Sequence, residues 1–179
     1  AGARGGGMSG TVGLITGSSH LTLATTARAL RTTRAGMWGG YAGAPLPELA
    51  MAEGGQASTG AALQWARTLF GGGGDAPPSL AQLDAEAAAL PVGAEGVLAL
   101  ESFQGARTPV TDPLARGALL GLSLHHGRGH VWRALLEAVC LGSRATVEAL
   151  LGGERPTLVL LTGGIARSPF WLQMHADAL

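Results

Sequence analysis

Residues 157–169 read Thr-Leu-Val-Leu-Leu-Thr-Gly-Gly-Ile-Ala-Arg-Ser-Pro. Thr157–Leu161 is an unbroken apolar run of strand length, the pattern of a strand covered on both faces. Gly163-Gly164 breaks the run. Ser168-Pro169 then opens a helix, because serine caps a helix start and proline fits its first turn. A buried strand, a glycine corner and a helix in that order place the chain in the α/β class. The corner is also a candidate binding element. Two glycines, Gly163 and Gly164, let the backbone approach a ligand closely, and the helix start offers unpaired N–H groups at the positive end of its dipole.

Working outward, His130 to Leu151 carries the longest helical pattern and ends at Gly152-Gly153. Asp112-Pro113 has the form of an N-cap followed by proline and predicts a helix start. Glu101–Thr111 reads as a polar loop, and Gly96–Leu100 as a buried strand. Ser79-Leu-Ala-Gln82 has the form of a capping box for a helix running to about Leu90. A helix over Ala57–Phe70 is predicted from Ala62, Trp65, Ala66 and Leu69 at helical spacing, ended by Gly71–Gly74, with Asp75–Pro78 as linker. Met37–Pro47 reads as a loop and Leu49–Met51 as one short strand. Near the start, Thr11–Thr16 and His20–Thr26 are β-rich runs joined by Gly17-Ser18-Ser19, a tight hairpin connection. Its small residues and two hydroxyls can present donors to a phosphate. Residues 1–10 are glycine-rich and predict a flexible lead-in.

Bulk properties narrow the function classes. The 179 residues suffice for one domain. Hydrophobic residues make up 46% and charged residues 13%, a folded body rather than a disordered tail. Net charge is zero and the 12 basic residues, all arginine, are scattered, so no nucleic-acid partner is expected. No apolar run approaches the ~20 residues of a membrane span, and no cleavable signal pattern opens the chain. Cys140 is the only cysteine, so no intrachain disulfide forms, and its apolar surroundings suit a small core filler. A soluble, cytoplasmic protein with no membrane partner is the expectation. His126 and His130 have the i, i+4 spacing of helical metal ligands, but Gly127 and Gly129 argue against a rigid helix there, so no metal site is expected. The four tryptophans are spread along the chain and suit core packing.

Several motifs together resemble one family. Arg107-Thr108-Pro109, Asp112-Pro113, Ala115-Arg116-Gly117 and Gly121-Leu122 reproduce a "P…DP.ARG…GL" run, and the His130-Val131-Trp132-Arg133-Ala134-Leu135-Leu136-Glu137 helix start follows at the matching spacing. Leu135 departs slightly, where a smaller or β-branched residue is usual. Glu53-Gly54-Gly55-Gln56 with Thr59-Gly60 resembles an "EGG…TG" segment, and Leu161–Gln173 resembles an adenosine-binding corner. In this order, from about Thr11 to Leu179, they resemble the C-terminal half of the FGGY carbohydrate kinases, in the pentulose-kinase branch.

The resemblance implies an RNase H-like (actin/hexokinase-like) domain, incomplete, in which residues 11–179 form the ATP-binding half and the sugar-binding half is absent. It implies ATP and Mg2+ as cofactors, and a sugar or polyol as substrate of the intact kinase. Gly17 and Ser18 match the phosphate turn, with serine keeping the hydroxyl. Gly60 and Gln64 match a pair near the nucleotide, and Gly163, Gly164 and Ser168 match the corner that holds adenosine. Ser168 stands where the glycerol-kinase branch often has a longer asparagine.

The family's general base is an aspartate in a Gly-Asp segment about twenty residues before the phosphate turn, which takes the proton of the attacking sugar hydroxyl. No Asp or Glu precedes Glu48 here, and capping accounts for Asp112, so no catalytic residue is assigned. The expectation is therefore a kinase half truncated at both ends. The alternative is a non-catalytic nucleotide-binding module or an inactive remnant. An apolar face left uncovered by such truncation would invite association, so a homodimer is also expected.

Overall fold

A computed structural model describes residues 9–26, 36–44, 46–71 and 76–179. Residues 1–8 of the expected lead-in and 72–75 of the expected helix stop and linker lie outside the described residues. Seven strands and four α-helices follow one another along the described chain. They are β1 (Thr11–Thr16), β2 (His20–Thr26), β3 (Trp38–Ala42), β4 (Ala50–Gln56), α1 (Gly60–Phe70), α2 (Leu80–Ala88), β5 (Leu98–Leu100), β6 (Ala118–Leu120), α3 (Arg128–Leu151), β7 (Leu158–Gly163) and α4 (Pro169–Ala178).

Five strands make one mixed sheet in the order β3-β4-β2-β1-β7, and β5 and β6 form a separate antiparallel pair. The β1–β2 hairpin has the expected three-residue connection, with Thr16 opposite His20. β7 joins β1 in parallel, pairing Thr16 with Gly163. That register brings the hairpin turn and the glycine corner to the same end of the sheet. β2 pairs with β4 so that His20 faces Gln56.

The long helix α3 lies across β2 and β4 and carries the core with it. Leu63, Ala66, Leu83, Ala87, Trp132, Leu135, Leu136, Val139, Ile165 and Trp171 form one buried cluster joining α1, α2, α3 and α4. Val12, Ala24, Ala52, Val147 and Leu150 form another against the sheet. Cys140 is a buried core filler, as its neighbours suggest, and burial pushes its thiol up to about 12. The capping box forms as expected: Gln82 N–H donates to Ser79 Oγ at 3.2 Å and Ser79 N–H to Gln82 Oε1 at 2.8 Å. Among the described residues no helix is long and apolar enough to cross a membrane.

Six expectations are corrected. Met37–Pro47 is not all loop, because β3 pairs with β4 through a bulge between Gly39 and Tyr41. Trp38 of β3 is held under the Arg107 guanidinium, 4.5 Å from its ring centroid. The short strand at Leu49–Met51 is instead the seven-residue β4, which runs through Glu53-Gly54-Gly55-Gln56. A Cβ at Gly55 would strike the His20 carbonyl, so glycine there serves strand approach rather than a turn.

Asp112-Pro113 starts no helix. Asp112 Oδ1 accepts the Leu114 N–H at 2.8 Å in a local turn, while the Asp112 and Ala106 backbones bond each other. That bridge turns the chain back toward β6. The strand expected at Gly96–Leu100 is only Leu98–Leu100, with Leu98 and Leu100 exposed rather than buried. β7 is covered on one face only: it ends the sheet, and Leu158 and Leu160 are 51% and 52% exposed.

α1 begins at Gly60 rather than near Ala57, because the Thr59 and Ala61 N–H groups both donate to the Ser18 carbonyl at 3.0 Å.

Candidate functional site: a cleft between the hairpin turn and the glycine corner

A cleft of about 700 Å³ opens at the end of the sheet where β1 and β7 finish. Thr16 and Gly17 form one wall, and Gly60 and Gln64 of α1 stand beside them. Leu80, Ala81 and Asp84 of α2 form the opposite side. Trp132 and Leu136 of α3 are the floor, and Gly164, Arg167, Ser168 and Phe170 close the far end. The lining is mostly apolar with a few polar groups, the general character of a small-molecule site.

Five of the residues singled out from sequence thus line one space: Gly17, Gly60, Gln64, Gly164 and Ser168. Ser18 and Gly163 are not in the lining. Ser18 is exposed, its carbonyl accepts the two N–H groups at the start of α1, and its hydroxyl has no hydrogen bond among the described residues. Gly163 supports the corner from behind. It has φ +94°, and a Cβ on it would collide with the Thr16 carbonyl, so glycine is required there for structure.

Gly164 differs. Nothing lies within 4 Å of where its Cβ would be, so its missing side chain leaves open space in the cleft. Gly60 lets α1 approach the hairpin turn, since a Cβ there would strike the Gly17 carbonyl. Gln64 is exposed one helical turn further along α1.

Three residues not singled out from sequence organise the site. Thr16 Oγ1 donates to the Thr162 carbonyl at 2.8 Å and accepts the Ile165 N–H at 3.0 Å, locking β1 to the corner. Asp84 accepts the Trp132 indole N–H at 2.8 Å on Oδ1 and the Ser168 hydroxyl at 2.6 Å on Oδ2. Ser168 in turn accepts the Trp171 N–H at 3.1 Å as the cap of α4. The signal for Asp84 is a single carboxylate on the Leu80–Asp84–Ala88 face of an otherwise apolar helix stripe. Trp132 lay within a quoted motif but was read as core, and it is both core and cleft floor.

Behind the turn lies a buried histidine pair. Ser143 donates to Gln56 Oε1 at 2.9 Å, so at 3.2 Å it accepts from His20 Nδ1–H. His175 Nδ1–H donates to the Trp171 carbonyl at 3.1 Å. Burial, with the neighbouring His175 adding to it, lowers His20 to about 3, and burial lowers His175 to about 4. Both are neutral at pH 7 and serve packing rather than proton transfer. Glu101, which accepts from Gln56 Nε2 at 3.3 Å, is pushed up by burial.

The arrangement is suited to holding a ligand with a flat apolar part and a polar tail. Among the described residues Asp84 is the one carboxylate in the lining, and both its oxygens are engaged.

The model of the FGGY family of carbohydrate kinases, C-terminal domain, matches residues 12–179. The chain is 33% identical over 122 residues to the xylulose kinase of Bacillus subtilis (strain 168), covering 67% of this chain and 23% of that one. It is 30% identical over 175 residues to glycerol kinase 5 of Xenopus laevis, covering 95% and 35%. The crystal structure of xylulose kinase from Rhodospirillum rubrum superposes with a TM-score of 0.80 at 38% identity, covering 96% of this chain and 34% of that one. The chain therefore spans about a third or less of the length of these relatives. Its fold is the actin/hexokinase-like one of the sugar kinases, present as a partial domain. On that match, the chain belongs to the FGGY family of carbohydrate kinases, of which it carries the C-terminal domain.

Proposed function

We propose that this domain binds ATP in the cleft and acts as the nucleotide-holding half of a kinase that phosphorylates a sugar or polyol hydroxyl. The observation carrying the reading is the open space at Gly164, which faces Gly17 and Gly60 across one cleft. An adenosine fits along the corner, above Trp132 and beside Phe170. Its phosphates then run toward Gly17-Ser18, where an exposed hydroxyl is free to donate. No carboxylate in the lining is free to ligate Mg2+, so the ion would arrive on the phosphates themselves.

The substrate class follows the relatives' names. Xylulose kinases among them favour a pentulose, and glycerol kinases widen the class to polyols. Residues 11–179 constitute the nucleotide domain, residues 1–10 a lead-in, and sugar selection belongs to a half not among these residues. Association as a homodimer and a cytoplasmic setting belong to the same reading. A second reading, a nucleotide-binding module without catalysis, is favoured by one observation: Asp84 is fully engaged.

The test is calorimetric titration of Mg·ATP, ADP and AMP into the folded chain. Saturable one-site binding that strengthens from AMP to ATP is expected. A folded chain that binds none of the three overturns the proposal.

A further inference from the structure

Away from the cleft, three side chains converge that neither the fold nor the nucleotide reading uses. Glu95 sits in the short turn Ala94–Gly96 that precedes β5, and His125 and His126 lie in the turn leading into α3. One donor atom from each lies within 4.8 Å of the other two. Glu95 Oε2 is 3.9 Å from His125 Nε2, and the two imidazole centroids are 4.0 Å apart. Independently of this proximity, His126 Nε2 is buried and has no hydrogen-bond partner among the described residues. The sequence drew attention to His126 and His130 as a pair, but their partner here is a carboxylate from a different turn.

The geometry points to a Zn2+-class metal site built from Glu95, His125 and His126, clipping the Ala94–Gly96 turn to the entry of α3. Two imidazoles and one carboxylate suit a borderline cation such as Zn2+, with a fourth position left for water. The surrounding groups already orient the ligands. Ser123 Oγ lies 2.7 Å from His125 Nδ1, so its oxygen accepts from that ring and leaves the His125 Nε2 lone pair for the metal, and it lies 3.3 Å from His126 Nδ1. In the structure the Ser123 N–H donates to His126 Nδ1 at 2.9 Å, which puts the ring proton on Nε2. On metal binding that proton moves to Nδ1, and the His126 ring turns from the Ser123 N–H so that Nδ1–H donates to Ser123 Oγ. No proton is lost overall. His130 completes the outer ring: Gly127 N–H donates to its Nδ1 at 3.0 Å, so its Nε2–H donates to Glu95 Oε2 at 3.2 Å. This resembles the hydrogen-bonded support that metal-ligating carboxylates ordinarily have.

The test uses the untagged, chelator-treated chain and Zn2+ alone, with Mg2+ and Ca2+ as comparison ions. One-site zinc binding is expected in calorimetry, with a Kd on the order of micromolar or tighter, and a melting temperature that rises with zinc concentration by mass action. Glu95→Gln and His126→Ala should each remove the rise, and Ser123→Ala should weaken binding about tenfold through the ligands it orients. Co2+ bound to the parent chain should give the strong visible absorption of a four-coordinate site, a readout that does not depend on any variant folding. Absence of saturable zinc binding, an octahedral Co2+ spectrum, or unchanged binding in the folded His125→Ala/His126→Ala double variant overturns the assignment.

Discussion

The Ser168 hydroxyl donates to Asp84 Oδ2 at 2.6 Å, tying the cap of α4 to the middle of α2. The same carboxylate takes the indole N–H of Trp132 at 2.8 Å, so one side chain joins three helices around the cleft. Replacing Asp84 with Ala should leave the buried Trp132 N–H without an acceptor and cost about 1–3 kcal/mol. Asp84→Asn keeps one acceptor oxygen and should cost less. Urea unfolding of both variants measures this; equal midpoints for Asp84→Ala and the parent would show that Asp84 is dispensable.

Gly163 and Gly164 should separate stability from binding. Gly163→Ala places a Cβ at φ +94° against the Thr16 carbonyl and should lower stability by about 1–3 kcal/mol. Gly164→Val places its Cβ in open space, so the fold should survive while ATP affinity drops on the order of tenfold or more, ~1.4 kcal/mol. Ser18→Ala should cost about 1 kcal/mol of binding at most, for one neutral hydrogen bond. Calorimetry on the folded variants ranks them, and ATP binding unaffected by Gly164→Val rules out the corner as the adenosine site.

Acid should unfold the chain through the histidine pair. His20 and His175 are held near 3 and 4 when folded, against about 6.5 when unfolded. The unfolded chain therefore binds more protons, and the stability this pair contributes is present above pH ~6.5 and lost progressively as pH falls toward 4. Glu101, raised by burial, works in the opposite direction, so the parent curve alone mixes the two. His20→Gln should flatten the fall in melting temperature between pH 7 and 5. A curve identical to the parent's contradicts the assignment to His20.

Arg133 should be far more costly to remove than a surface arginine. It is 6% exposed, its Nη1 holds the Ala87 and Leu90 carbonyls at 2.9 and 2.8 Å, and its Nε pairs with Glu137 at 2.8 Å. Arg133→Ala leaves Glu137 with the Gly93 N–H as its remaining donor and takes a donor from the Ala87 and Leu90 carbonyls, which should cost about 2–4 kcal/mol. Lysine lacks the planar fork and should rescue only part. A chemical denaturation series reports both.

The chain by itself should show no sugar-dependent turnover. Loss of a positioned base ordinarily costs 10²–10⁴-fold, and no lining carboxylate is free to act as one. A coupled ADP-release assay with ribulose, xylulose and glycerol decides the matter, robust turnover being the adverse result.

What the sequence made legible was local. The Gly17-Ser18-Ser19 hairpin, the Ser79 capping box and the Gly163-Gly164 corner each depend on residues a few positions apart, and each forms as its neighbours dictate. β3 was hidden because Trp-Gly-Gly-Tyr-Ala has loop composition, and its strand character comes from pairing with β4. Asp112-Pro113 carried a helix-start pattern that a bridge to Ala106 overrides. Asp84 was hidden for a related reason: its partners lie 48 and 84 residues further along the chain. TLVLL reads as a strand buried twice over, yet hydrophobicity along one strand cannot tell which of its faces is covered.

Thr16 gives the cleft a fixed span. Because its single hydroxyl is bonded to both Thr162 and Ile165, the hairpin turn and the corner cannot drift apart independently. The two ends behave like the jaws of a caliper set once by the β1–β7 register. Such a gauge would discriminate ligands by length before any contact with the base is tested, and it would accept its guest with little ordering left to do.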